Sequence, residues 1–172
     1  MLARIRAAVG DARPPEVGHP ALRGAGDVDR FAARVADYRA TVTRTDDPDA
    51  AVAARLGHHG ATRVLDLRTD PPRLTTAELD ELDGVVSGCA CAIAETGTIV
   101  LAGMRAATLV PDLHVCVVRA GQILADVPDA IAALGPGRPL TFVSGPSATS
   151  DIELERVEGV HGPRRLEVIL TR

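Results

Sequence analysis

Short apolar runs alternate with amphipathic stretches along almost the whole chain, and their spacing predicts the elements. Leu2, Ile5, Ala8 and Val9 recur at helical intervals, so residues 1–9 read as a short amphipathic helix that Pro14 and Pro15 end. Residues 10–26, rich in Gly, Pro and Ala, read as an extended linker. Asp27 is placed to cap a helix over 28–38, with Val28, Phe31, Val35 and Tyr38 on one stripe. A strand is predicted over 40–45. Asp47-Pro48 then supplies a cap and a proline at the first helical position, starting a helix that runs to about Leu56 and stops at Gly57. His58 and His59 fall at that helix end and read as solvated loop residues.

The sequence TRVLDL at 62–67 predicts a second strand, and Thr75 with Glu78 forms a capping box that opens a helix over 76–82. After the turn Asp83-Gly84, Val85-Val86 begin a short strand leading to residues 90–101, ACAIAETGTIVL. There an apolar run enters the polar turn Glu95-Thr96-Gly97-Thr98 and leaves as the buried strand Ile99-Val100-Leu101. Further strands are predicted over 114–118, 140–143 and 166–170, with a helix over 123–134 that strengthens from Asp126. Strands alternating with helices imply an α/β fold with a largely parallel sheet and helices on both faces. The expected division is an N-terminal helix and linker over 1–26 and one α/β domain over 27–172.

Composition narrows the chemistry. The 172 residues suffice for one domain that buries about 70% of its extended surface. Phe31, Tyr38 and Phe142 are the only aromatics and the net charge is −4, which disfavours base stacking and phosphate-backbone binding, so no nucleic-acid partner is expected. Every basic residue apart from histidine is arginine; without lysine there is neither Schiff-base chemistry nor a Walker A loop. Cys89, Cys91 and Cys116 lack zinc-site spacing and are one short of an iron–sulfur set, so no metal or cluster is expected in this chain. Reduced thiols and the charges at Arg4 and Arg6 point to a cytoplasmic protein with no signal peptide and no membrane association.

Three polar clusters are candidate chemistry. Glu95, Thr96 and Thr98 flank Gly97, and read either as a site or as a helix cap or turn. Ser144, Gly145, Pro146, Ser147, Thr149, Ser150, Asp151 and Glu153 follow a strand and suit an anion, or simply cap a helix. His161 lies between Gly159 and Gly162. His114 opens a strand and is ambiguous.

Taken in order, AIAETGTIVL, LVPDLHVCVV, FVSGPSATSDIE and GVHGPRRLEVIL resemble the lactate utilization protein C family, the LUD-domain proteins. The resemblance implies a three-layer α/β/α sandwich similar to the NagB/RpiA/CoA-transferase-like group. It also implies a place in a multi-subunit system oxidising L-lactate to pyruvate, with iron–sulfur clusters only in partner subunits. Glu95, Thr96, Gly97 and Thr98 would be its first signature, with Glu95 as the catalytic candidate. Ser144, Gly145, Ser147, Thr149, Asp151 and Glu153 would be the second and His161 and Gly162 the third, together binding a small organic acid or anionic cofactor; Arg105 or Arg164 would pair with its carboxylate. Two other readings stand beside this one. One is a stand-alone enzyme similar to CoA transferases or cyclo-ligases; the other is a non-catalytic interaction protein. A homo-oligomer is compatible with either. Two departures from the family pattern bear on partner docking: a short N-terminus, and Asp112 where a second proline is expected before the His114 strand.

Overall fold

Local signals set most of the element boundaries. The computed structural model describes residues 2–10, 20–103, 105–135, 137, 139–150, 156–158 and 162–172. Helix α1 spans Leu2–Val9 and buries none of its residues. Helix α2, Val28–Asp37, starts where the Asp27 side chain accepts from the Arg30 N–H, and it buries Phe31 and Val35. Strand β1 is Thr41–Arg44. Helix α3, Pro48–His58, is capped by Asp47 and runs past Gly57, which does not stop it; the His59 N–H still reaches the Arg55 carbonyl. Strand β2 is Val64–Asp66, and the capping box of Thr75 and Glu78 opens the short helix α4, Thr76–Asp80.

Strands β3 (Gly84–Gly88), β4 (Cys91–Ile93) and β5 (Thr98–Ala102) follow, then helix α5, Arg105–Leu109, and strand β6, Leu113–Arg119. The helix predicted over 123–134 is corrected at its start. Ile123–Leu124 form a strand, β7, paired in parallel with β4, and only Val127–Leu134 are helical, as α6, with Asp126 as N-cap. A two-residue apolar run abutting a helix carries no periodicity that separates strand from helix. Strands β8 (Leu140–Val143), β9 (Ala148–Ser150), β10 (Arg156–Glu158) and β11 (Arg165–Thr171) complete the fold.

The central sheet has the order β1-β11-β6-β3-β2 and every pairing in it is parallel. Such a sheet is covered on both faces, which is why its strands read as nearly continuous apolar runs. On one face Val86, Leu113, Val115 and Ile169 pack on Val52 of α3. On the other, Cys116, Val118, Val168 and Leu170 pack on Phe31 and Val35 of α2 and on Ala92 and Ile99 of a second sheet. Of the three aromatics only Phe31 is fully buried, a contribution of about 2 kcal/mol. The second sheet, β7-β4-β5-β8, sends Cys91, Ile93 and Val100 outward against Ala130 of α6. The fold is therefore α/β with helices on both faces of a parallel sheet, as the sequence implied, with the second sheet added to the interior of one face. Residues 23–26 are strapped to that second sheet. Asp129 accepts the N–H groups of Arg23 and Gly24 at 2.9 and 2.7 Å, and Gly26 N–H donates to the Ile123 carbonyl at 2.8 Å. Among the described residues, no helix is long and apolar enough to cross a membrane.

Candidate functional site

Strand pairing joins the first two polar clusters. Ile99 of β5 lies opposite Val143 of β8, so Thr98 and Ser144 emerge side by side where those strands end. Their hydroxyls bond at 2.8 Å, and the Thr96 hydroxyl bonds Thr98 at 2.7 Å. The turn that brings Thr96 over Thr98 depends on Gly97. Its φ is +63°, and an added Cβ would lie 2.7 Å from the backbone of Arg34 in α2. Gly145, at φ +84°, would likewise drive a Cβ into Tyr38. The second cluster meets the third through the chain itself. Ser147 N–H donates to the Pro163 carbonyl at 2.8 Å, and Gly162 sits against the Ser147 side chain.

The second and third of these loops line a cavity of about 220 Å³, with the Thr96–Thr98 turn behind Ser144 and outside its wall. Ser144, Gly145 and Ser147 form one wall, Gly162 and Pro163 a second, and Thr108 and Leu109 of α5 a third, with His114 of β6 also lining it. His114 is 1% exposed, and its Nε2 lies 2.7 Å from the Ser87 hydroxyl of β3. Burial pushes its pKa down to about 4, so the imidazole is neutral at neutral pH. Among the described residues no carboxylate or guanidinium lines the cavity. The site therefore offers hydroxyls and one neutral imidazole, a set suited to orienting a small oxygen-rich molecule.

The structure separates other candidates from this cavity. Glu95 is not in its wall; both carboxylate oxygens lie 2.8 Å from Arg30 Nη2 of α2, and the side chain is half-exposed. Arg164 donates twice to Asp112, at 2.5 and 3.0 Å, which holds the Asp112 carboxyl below its usual range. That pair gives Asp112 a physical role where a proline was expected: it ties the entry of β6 to the entry of β11. Arg105 sits exposed at the start of α5, outside the cavity wall. Thr149 belongs to β9, opposite Val157 of β10. Asp151, Glu153 and His161 lie outside the described residues.

Sequence reasoning did not select Ser87 or Thr108, and it left His114 undecided. The available signal was a serine and a histidine set within the otherwise apolar strands VVSG and LHVCVV. The thiols contribute differently. A hydrogen bond with Cys116 and burial push the Cys89 thiol well up, so it is no thiolate nucleophile. Cys91 packs away from both, against Ala130. His59 also needs correction. It is not solvated but bonds Glu167 Oε1 at 2.7 Å, beside Arg55, which donates to both Glu167 oxygens at 2.9 and 2.7 Å. His58 remains exposed.

An α/β domain whose parallel sheet abuts a cavity walled by the 144–147 loop, Gly162-Pro163 and α5 is the class of protein that fold and site define. The LUD domain family model matches residues 29–171, and the chain belongs to the LUD-domain family. It is 44% identical over 199 aligned residues to "Lactate utilization protein C" of Deinococcus radiodurans, covering 99% of this chain and 93% of that relative. It is also 36% identical over 90 residues to "Lactate utilization protein C 1" of Bacillus mycoides, over 45% of this chain and 38% of the relative. The crystal structure of a DUF162 family protein from Deinococcus radiodurans superposes with a TM-score of 0.66 at 35% identity, covering 84% of this chain and 96% of that one.

Proposed function

We propose that this chain takes part in lactate utilization by binding a small organic acid in the cavity between α5, β6 and the 144–147 loop. The convergence of the 144–147 loop, Gly162-Pro163 and the end of α5 on one cavity beside His114 carries this reading. The name of the Deinococcus relative, matched along almost the whole chain, supports the pathway. Ser144, Ser147 and Thr108 supply hydroxyls to the ligand, and Thr96 and Thr98 hold Ser144 in place from behind. With three cysteines distributed over two cores, the chain does not fit a four-thiolate cluster. The proposed role is therefore a non-redox subunit, with iron–sulfur partner chains carrying electrons. Glu95, held by Arg30 outside the wall, acts in this reading by fixing the hairpin to α2.

Two experiments test it. Deletion of the gene is expected to abolish growth on L-lactate and to spare growth on glucose; unchanged growth on lactate contradicts the pathway assignment. Titration calorimetry with L-lactate and pyruvate is expected to give heat that Ser147→Leu, which puts a bulkier side chain on a lining position, removes. Equal binding by that variant contradicts the choice of cavity.

A further inference from the structure

We infer that the cavity takes up its carboxylic acid together with one proton, which comes to rest on His114 as the carboxylate docks. This rests on the reading of the cavity as the ligand site, and it concerns how a charged ligand is accommodated there. A carboxylate moved into a partly buried site needs an opposite charge, because desolvation without compensation is costly. Among the described residues the wall supplies none. Arg164 is joined to Asp112, and Arg105 lies outside the wall.

Among the described residues His114 is the one lining group that can become cationic, and its surroundings leave that role open. From β3 it meets the Ser87 hydroxyl, with Cys89 further along; from its own strand comes Cys116, two residues on and on the same face. From α5 come Thr108 and Leu109, and from β11 comes Leu166. The acid on β11, Glu167, belongs to the opposite face, where Arg55 and His59 hold it. No carboxylate among these described groups pre-charges the ring, which explains why it rests neutral. Ser87 suits both states, because a hydroxyl can donate to an unprotonated Nε2 or accept from a protonated one. Nδ1 takes no hydrogen bond from the described residues, which leaves it for the ligand. Neither an isolated carboxylate nor an isolated imidazolium is stable in this cavity. Formed together at contact, each removes the other's cost.

Calorimetric titration of the whole chain with L-lactate in phosphate and in Tris buffer at pH 7 reads the proton directly from the difference in heats. The expected result is uptake of about one proton per ligand, and affinity rising about tenfold for each unit of pH lowered between 7 and 5. Lactamide, with the same shape and no charge, is expected to bind without pH dependence. In protein labelled with ¹⁵N-histidine, the His114 ring signals should move from neutral to imidazolium with lactate and stay neutral with lactamide, a readout that needs no variant. In His114→Gln, proton uptake should vanish. Lactate bound with a neutral His114 ring and affinity flat across this range overturns the inference and leaves the cavity assignment standing. No binding of lactate or pyruvate at any pH overturns that assignment and this inference with it.

Discussion

The two faces of the parallel sheet each bury a titratable side chain, and they treat it in opposite ways. On the α3 face, Glu167 is 3% exposed and surrounded by partners: two hydrogen bonds from Arg55 and one contact with His59. On the other face, His114 is 1% exposed and, among the described residues, bonded only to a neutral serine, with a cavity beside it. The carboxylate is fully compensated and ties α3 to β11, a structural role. The imidazole is kept neutral by burial and borders the cavity, which is where the proposed ligand would meet it. Buried polar groups of like exposure thus differ by their partners, one compensated within the fold and one a candidate to meet a ligand under the proposed function.

Breaking the compensated side should cost most. Arg55→Met removes the bidentate donor and leaves Glu167 buried beside His59 alone. Loss of one partner from such a pair is expected to lower stability by about 3 kcal/mol in urea unfolding at pH 7.5, while lactate binding across the sheet persists. His114→Gln under the same conditions should change stability much less.

The uncompensated side should show itself through pH. The unfolded chain protonates this histidine near 6.5 and the folded chain only near 4, so the unfolded state binds more protons in that interval. Stability should therefore fall as pH drops from 6.5 to 4, by about 3 kcal/mol in all, and be unaffected by this group above 6.5. Unfolding measured across that range should lose this component of its slope in His114→Gln. Next comes the shape of the cavity face, which rests on close backbone approach. Gly97→Ala forces a Cβ toward Arg34 at positive φ and should cost about 2 kcal/mol in thermal unfolding. The smallest effect sharpens the contrast between two glutamates. Glu95, in a half-exposed pair with Arg30, should lose less than about 1 kcal/mol as Glu95→Gln and keep its lactate affinity in calorimetry.

Much of this was legible where the physics is local. The Asp27, Asp47 and Thr75 caps and the strand at Leu140–Val143 follow from short-range rules and appear where the residues put them. The ordered polar loops also marked out the family. What stayed hidden depends on partners distant in sequence. Ile123–Leu124 become a strand only because β4 is there to pair with them. His59 looks like a loop residue until Glu167 arrives from a strand 108 positions away. Asp112 looks like a departure from pattern until Arg164 closes on it. In the site, Thr98 and Ser144 were chosen separately, and only the β5–β8 register shows that they share a hydrogen bond. Ser87 and His114 escaped because a polar residue inside an apolar strand has no sequence signature that tells a ligand group from a satisfied core residue.

The most direct test of the account is a crystal structure of the chain soaked with L-lactate. The account predicts lactate density in the cavity, its carboxylate within hydrogen-bond distance of the His114 ring and its hydroxyl on Ser144 or Ser147. Lactate ordered elsewhere on the molecule, with this cavity holding only water, would contradict it.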